Sequence, residues 1–268
     1  MVELQVVGGG RMGEALVGGL LRAGDVHAAE VRIVEAVAER RTDLAERFAG
    51  VEVTDTAGPA VGTVLAVKPA DVRDAARAVA AAGTERALSI AAGVSLAALE
   101  SALGVGVPVV RAMPNTPALV GVGAAAIAGG SSAEEGDLAW AERLLGAVGT
   151  VVRVDEALLD AVTGLSGSGP AYVFLVAEAL MEAGAQAGLP AEVSASLTVQ
   201  TLLGAATLLA RSDEGPEALR AAVTSPGGTT AAGVRVLEER GLRTALVDAV
   251  AAATERSREL GQQPHEPL

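Results

Sequence analysis

The chain has 268 residues, of which 50% are hydrophobic, 20% are charged and 1% are aromatic, and its formal net charge is −13. A chain of this length buries enough surface for a core without disulfides or metal ions, as one large domain or two smaller ones. The acidic charge and the scarcity of aromatic residues argue against a nucleic-acid-binding protein and against binding to anionic membranes. The absence of cysteine excludes disulfides, thiolate nucleophiles and cysteine-based metal sites, and only two histidines, His27 and His265, are present. We therefore expect no metal site and no Ser-His-Asp triad.

The sequence also predicts where in the cell the protein is located. Met1 leads directly into a strand-like run, which is unlike a signal peptide. No apolar run approaches ~18 residues without glycine, proline or charge, so we expect no transmembrane helix. The sequence thus predicts a soluble, cytoplasmic protein.

Residues 1–154 are predicted to form an α/β domain. Apolar, β-rich runs occur at 2–7, 31–35, 63–67, 87–90, 108–112, 124–128 and 150–154, and the helical patterns between them include 12–23, 38–48, 71–81 and 133–147. Short, continuous apolar strands that alternate with helices are typical of a parallel sheet covered on both faces. We therefore predict a doubly wound sheet of the Rossmann type.

Residues 155–268 are predicted to form an all-α domain. Helical patterns lie at 171–187, 192–210, 216–223, 229–240 and 244–260, and the last eight residues, 261–268, have the composition of a loose tail. The first two of these helices are long, rich in alanine and highly apolar. We favour their burial against a second chain, which predicts a homodimer; a compact monomeric bundle is the alternative.

The first motif that carries chemistry is the glycine loop Gly8-Gly9-Gly10-Arg11-Met12-Gly13, which follows a strand and opens a helix. This context is the one in which a G-x-G-x-x-G pattern indicates dinucleotide binding. The first glycine permits the tight turn, the second lets a pyrophosphate approach the backbone, and the third lets helix and strand pack closely. The alternative is a glycine-rich turn in a related domain that has lost its ligand.

Glu35, at the end of the second strand, lies about 20 residues beyond the glycine loop, where an acidic side chain accepts a hydrogen bond from the adenosine ribose. Its carboxylate would repel a 2′-phosphate, which favours NADH over NADPH. Arg40 and Arg41 are close enough in the sequence to reverse this preference if they fold back. A solvated carboxylate at the strand end is the alternative interpretation.

Two further strands end in unusual residues. Lys68, in Ala66-Val67-Lys68-Pro69, is the only lysine, and Asn115, in the segment RAMPNTP at 111–117, is the only asparagine. Ligands of open α/β sheets bind at the carboxyl ends of strands, so both residues are candidate site residues. A stray surface lysine and an asparagine chosen for turn geometry are the alternatives.

Two glycine-rich loops lie in the helical part. The segment GLSGSGPAY at 164–172 opens a long helix, and we expect it to be mostly structural and close to the site. The segment SPGGTT at 225–230 also precedes a helix, and its free backbone N–H groups and hydroxyls predict a carboxylate-binding loop. A well-capped helix start is the alternative, but two glycines are more than a cap needs, so we favour anion binding.

Taken together, these motifs resemble those of the pyrroline-5-carboxylate reductase family. The matches span nearly the whole chain and add AAGV at 91–94 and the stretch 216–238 to the segments already described. The resemblance implies a Rossmann domain, a helical domain that interlocks with a partner's in a homodimer, and further assembly into decamers in some members. It also implies NAD(P)H-dependent reduction of 1-pyrroline-5-carboxylate to L-proline, the last step of proline biosynthesis.

The resemblance also assigns roles to residues. The implied cofactor contacts are Gly8, Gly10, Met12, Gly13, Ala66, Val67, Lys68, Pro69 and Ala92, with Met113, Pro114 and Asn115 beside the nicotinamide. Arg11 and Glu35 are further cofactor candidates, which come from the sequence pattern and not from the resemblance. The implied substrate contacts are Ser225, Gly227, Gly228, Thr229 and Thr230, with Thr230 near the ring nitrogen. Asn115 is a further candidate substrate contact because of its position after a strand. Thr230 is a weak acid, so water or prior protonation of the imine is left open as the proton source.

This chain departs from the family pattern at three places. Gly13 replaces a common alanine, which we expect to be harmless, and Arg11 stands where many members have asparagine. Glu35-Ala36 replaces a pair that many members use on a 2′-phosphate, so the preference between NADH and NADPH is open. A β-hydroxyacid dehydrogenase is disfavoured, because it would need a lysine in the helical domain and none follows Lys68. A non-catalytic dinucleotide sensor is the remaining rival.

Overall fold

The computed structural model describes residues 1–262 of the chain, which fold into two compact units. The first unit consists of residues 1–168 together with the C-terminal part from Ala251, and the second is Gly169–Val250. The predicted boundary at residue 154 lies directly after the last strand of the sheet. The boundary between the two units lies further along the chain, after Ser168. The segment after the sheet belongs to the first unit because Leu159, which is fully buried, is part of a core cluster of that unit. Ser257 in the C-terminal part also donates to the carboxylate of Asp160 at 2.6 Å.

The first unit is built around one sheet of eight strands. The strands are β1 (Val2–Val7), β2 (Val31–Val34), β3 (Glu52–Thr54), β4 (Ala60–Leu65), β5 (Ala87–Ser89), β6 (Val109–Met113), β7 (Gly123–Gly129) and β8 (Gly149–Arg153). The helices of the chain are α1 (Arg11–Ala23), α2 (Ala38–Arg47), α3 (Val72–Ala81), α4 (Leu96–Leu103), α5 (Glu135–Gly146), α6 (Leu159–Val162), α7 (Gly169–Gln186), α8 (Ala191–Arg211), α9 (Pro216–Ala222), α10 (Thr229–Glu239) and α11 (Leu242–Gln262).

The strand order is β3-β2-β1-β4-β5-β6-β7-β8, which confirms the predicted doubly wound sheet. Every neighbouring pair is parallel except β6 and β7, which are antiparallel. The sheet is therefore parallel, as the sequence pattern predicts, except at this pair. The segment between β6 and β7 holds only the short 3₁₀ helix Thr116–Val120. A parallel connection needs a crossover of about a dozen residues or more, so this short link returns the chain antiparallel.

The centre of the sheet carries a string of buried polar side chains. Gln5 on β1 is fully buried and stands opposite Thr63 on β4. Its amide donates to the Thr63 hydroxyl at 3.4 Å and accepts from the amide of Gly58 at 3.0 Å. The Thr63 hydroxyl also lies 2.7 Å from that of Thr84. These side chains satisfy one another between layers of leucine, valine and isoleucine.

The second unit consists of helices, and each of the five helices predicted in the C-terminal part is present. Helices α7 and α8 pack together, and Ser194 of α8 donates to the carbonyl oxygen of Met181 at 2.8 Å. Many large apolar side chains of this unit are exposed, among them Phe174 (63%) and Leu203 (59%). Helix α8 is also long and apolar enough, by length and composition, to cross a membrane.

The C-terminal tail differs from the expectation at its start. Helix α11 continues to Gln262, so residues 261 and 262 belong to a helix and not to a loose tail. The rest of the predicted tail, residues 263–268, lies outside the described residues.

Candidate functional site

The glycine loop forms a tight turn between β1 and α1. Gly8 has a φ of +103°, a conformation that L side chains rarely adopt. Its amide donates to the carbonyl oxygen of Val34 at 2.8 Å. A β-carbon at Gly8 would lie 2.5 Å from the carbonyl oxygen of Ala66 on the other flanking segment. The turn therefore sits where the strand order reverses, between β2 and β4, and it requires glycine.

The other two glycines of the pattern differ in their surroundings. A β-carbon at Gly10 would meet no protein atom within 4 Å, whereas one at Gly13 would overlap the carbonyl oxygen of Gly8. The first amides of α1 have no partner within the helix, since intrahelical bonding starts with the amide of Glu14 at 2.9 Å from the Gly10 carbonyl. Open space before unpaired helix amides fits a pyrophosphate. Alanine at position 13 would force helix and turn to separate in this chain, whereas the glycine that the chain carries fits there.

Glu35 braces the glycine turn as well as standing at the end of β2. One carboxylate oxygen accepts from the amide of Gly9 and the other from the amide of Val37, both at 2.9 Å. A carboxylate offers about four acceptor positions, so two remain for a ribose hydroxyl. The spacing in the sequence did not predict this bracing role.

Arg40 and Arg41 do fold back towards the glycine turn. Arg40 donates to the carbonyl oxygen of Gly9 at 2.9 Å and pairs with Glu14. Arg41 donates to the carbonyl oxygen of Glu35 at 2.9 Å and lies 3.7 Å from Asp55. The hydrogen bond from Thr56, and next the Arg41 charge, hold the pKa of Asp55 below its ordinary value. Both guanidinium groups therefore already have carboxylate partners.

The remaining predicted cofactor residues follow the carboxyl ends of β4, β5 and β6, which lie at one edge of the sheet. Lys68 is exposed, and its side chain has no ion pair or hydrogen bond with any residue between 1 and 262. Ala92 is exposed, and Pro114 is buried at the end of β6. The structure thus brings the glycine loop, Lys68, Ala92 and the segment 113–115 to one edge, as parallel strands require.

Asn115 bridges three segments of the first unit. Its side-chain nitrogen donates to the carbonyl oxygen of Ser166 at 3.0 Å, and its side-chain oxygen accepts from the amide of Ala124 at 2.8 Å. Ser166 belongs to a π-helical turn, Thr163–Gly167, that precedes α7. A hydrogen bond from the Asn115 side chain to a ligand would therefore compete with two internal hydrogen bonds.

A cavity of about 320 Å³ lies beside the same segments. Pro69, Ala92, Thr163 and Ser168 form part of its lining, and α11 contributes Arg256 and Ser257. No motif in the sequence predicted a role for α11. No local pattern could have given one, because Ser257 reaches its partner Asp160 across 97 positions of the chain.

The second unit holds the segment SPGGTT as a turn at the start of α10. The amide of Gly228 donates to the carbonyl oxygen of Ser225 at 3.0 Å, and Gly227 between them has a φ of +73°. Proline followed by a glycine of positive φ is the signature of a type II turn. Thr229 and Thr230 then open α10, whose first amides have no partner in the helix. The loop is exposed, so these amides and hydroxyls can receive a carboxylate.

Comparisons with known proteins agree with this arrangement. Residues 156–260 match the family described as pyrroline-5-carboxylate reductase dimerisation, and residues 3–93 match that described as NADP oxidoreductase, coenzyme F420-dependent. The pyrroline-5-carboxylate reductase of Synechocystis is 45% identical, covering 98% of this chain and 99% of its own. The structure of the enzyme of that name from Coxiella burnetii superposes with a TM-score of 0.92 at 35% identity, over 98% of this chain and 99% of the other. The Plasmodium falciparum reductase with NADP bound has a TM-score of 0.83 at 28% identity, over 97% and 98%.

Proposed function

This chain belongs to the pyrroline-5-carboxylate reductase family, and we propose that it reduces 1-pyrroline-5-carboxylate to L-proline with a nicotinamide dinucleotide, the last step of proline biosynthesis. The observation that carries the proposal is the type II turn at Ser225–Gly228 with its unpaired amides at the start of α10. A carboxylate is the feature that the cyclic imine shares with its product. A protein that only sensed a dinucleotide would have no need of such a loop.

The dinucleotide is proposed to bind along the carboxyl edge of the sheet. Gly10 leaves the space for the pyrophosphate, and the first amides of α1 face it. The exposed Lys68 supplies a positive charge that no described carboxylate neutralises. The other proposed contacts are Gly8, Arg11, Met12, Gly13, Glu35, Ala66, Val67, Pro69, Ala92, Met113 and Pro114. The Asn115 carboxamide, expected from the sequence to contact the ligand, is instead bonded to Ser166 and Ala124.

The substrate is proposed to be held by Ser225, Gly227, Gly228, Thr229 and Thr230. The backbone amides of this loop bind the carboxylate, and the Thr230 hydroxyl bonds the ring nitrogen. When bound, the reduced nicotinamide supplies the hydride to the imine carbon. A protonated cyclic imine is already a strong electrophile, so the residues of this chain contribute mainly binding and orientation. Thr230 is the proposed catalytic residue, in the sense that it contacts the reacting ring.

We propose NADH as the preferred reductant. The Glu35 carboxylate stands beside the glycine turn, where a 2′-phosphate would meet its charge. The two arginines that could offset this repulsion already pair with Glu14 and Asp55. Recruiting them for a phosphate would break those pairs.

The helical unit is proposed to form the homodimer. The resemblance to the family extends this proposal to the assembly of dimers into decamers, as in some members. The matched dimerisation region at 156–260 and the exposed apolar side chains of α7 and α8 support the dimer. Covering α8 by a second chain also explains its apolar surface in a cytoplasmic enzyme.

The first experiment measures initial rates of NADH and NADPH oxidation with 1-pyrroline-5-carboxylate and identifies the product. Proline formation that is faster with NADH supports both the reaction and the role of Glu35, whereas faster oxidation of NADPH contradicts the role of Glu35 alone. A folded protein that binds NADH but oxidises neither cofactor contradicts the reductase proposal and supports the sensor.

A substitution tests the role of Thr230. Thr230→Ala should lower kcat by roughly 10- to 30-fold, the equivalent of one lost hydrogen bond, and leave the NADH dissociation constant unchanged. Thr207→Ala is the matched control, because Thr207 bonds only a carbonyl of its own helix. Loss of NADH binding by the Thr230 variant would refute the assigned role.

A further inference from the structure

We propose that Asn115 is a positioning residue for hydride transfer, which acts by holding the π-helical turn Thr163–Gly167 against Met113. The proposal rests on the proposed placement of the nicotinamide beside Met113. It differs from the contact expected from the sequence, since the carboxamide would act through the turn and not on the ligand.

The orientation of the carboxamide is determined by its two partners. One partner, the amide of Ala124, can only donate, and the other, the carbonyl of Ser166, can only accept. Exchanging the nitrogen and oxygen of the side chain would place donor against donor and acceptor against acceptor. Asn115 is therefore the residue type that satisfies both partners at once.

The Ser166 carbonyl needs a donor from outside its own helix. In an α-helix the amide of residue 170 would bond it, but residue 170 is proline and has no N–H. The turn is π-helical here, with the Ser168 amide bonded to the Thr163 carbonyl at 2.8 Å. The hydroxyls of Thr163 and Ser166 bond carbonyls of the preceding turn. Asn115 supplies the missing donor, and π-helical turns frequently occur at functional sites.

The turn that Asn115 holds contacts the segment proposed to lie beside the nicotinamide. A β-carbon at Gly167 would come within 2.7 Å of the terminal carbon of Met113, so Met113 packs directly on the turn. Thr163 and Ser168, at its two ends, line the cavity that Pro69 also lines. A shift of the turn would therefore move both Met113 and this cavity wall.

The decisive variant is Asn115→Asp, which keeps the shape and the acceptor for the Ala124 amide but removes the donor to Ser166. At neutral pH its carboxylate faces the Ser166 carbonyl and displaces the turn. We expect kcat to fall by roughly 10- to 100-fold, the cost of a displacement of about 1 Å, with the NADH dissociation constant changed less than about threefold. When the new carboxyl is protonated, its O–H can donate to Ser166. The ratio of variant to wild-type kcat should therefore rise as the pH is lowered.

Two further variants define the controls. Ser166→Ala removes the hydroxyl bond to Val162 but keeps the carbonyl, and it should retain wild-type kcat. Asn115→Ala lacks any titratable group, so its deficit should not recover at low pH. Asn115→Asp with wild-type kcat at pH 7, with a ratio that does not change with pH, or with NADH binding lost in parallel would overturn the proposal.

Amide hydrogen exchange without cofactor separates this proposal from the proposed function. In Asn115→Asp the Ser168 amide should exchange at least tenfold faster than in the wild type at neutral pH, because the π-helical bond to Thr163 loses its support. Unchanged exchange overturns the positioning role. An inactive wild-type protein would instead contradict the reductase proposal and leave this exchange result interpretable.

Discussion

Replacing Gly10 by alanine separates the fold of the glycine turn from its binding of a dinucleotide. The backbone there has an ordinary φ of −71°, and the new β-carbon would meet no protein atom within 4 Å. Alanine is a poorer N-cap than glycine but lowers the entropy of the unfolded chain, and these effects nearly cancel, within about 0.5 kcal/mol. The methyl group would, however, occupy the space proposed for the pyrophosphate. Losing one charge-assisted hydrogen bond costs about 1.5–3 kcal/mol, or roughly 10- to 150-fold in the NADH dissociation constant.

The assay combines urea unfolding with a fluorescence titration of NADH. Gly136→Ala is the matched control, since Gly136 stands near the start of α5 with equally open surroundings and no proposed ligand. Gly8→Ala should instead lower the stability of the fold by more than about 1 kcal/mol, because the φ of +103° at this position strains alanine. A folded Gly10→Ala protein that binds NADH within about threefold of the wild type would refute the reasoning.

Two other predictions concern the dimer and the response to acid. Leu203→Asp should yield monomers in light scattering, while Val105→Asp, at an exposed valine of the first unit, should not; a dimeric Leu203→Asp protein contradicts the proposed interface. Hydrogen bonds from Arg153 hold the pKa values of Glu135 and Glu142 below the ordinary 4.5. These carboxylates therefore stabilise the fold above pH 4.5, and the stabilisation is lost as the pH falls through their lowered pKa values. Arg153→Gln should therefore reduce the difference in unfolding free energy between pH 7 and pH 3, and an unchanged difference would count against the pairing.

Much of the fold could be predicted because the buried strands are continuous apolar runs between glycines, prolines and helical patterns. The run at 2–7, for example, is the strand β1. Strand β3, Glu52–Thr54, was not predicted, since it has three residues and a single apolar one. The direction of β7 was also not predictable from its own residues, because it depends on the length of the link before it.

The candidate site could be predicted as a set of positions but not as a network. The order of the strands places Glu35 and Asn115 at one edge of the sheet, and this followed from the pattern. Their partners did not, since the Gly9 amide is 26 positions from Glu35 and the Ser166 carbonyl is 51 positions from Asn115. Spacing identifies which residue types follow a strand, but only the packed chain decides which groups they bond.

The buried side chain of Gln5 restricts the alignment of strand β1 against strand β4. Residues 4–7 of β1 are all buried, so alternation of apolar and polar residues cannot distinguish one alignment from its neighbours. Sliding β1 by one residue against β4 would separate Gln5 from Thr63 and leave the side-chain nitrogen of Gln5 buried without its acceptor. That error costs about 1–3 kcal/mol for each unsatisfied group. A single polar residue in the middle of an apolar sheet therefore discriminates against misaligned sheets while the chain folds.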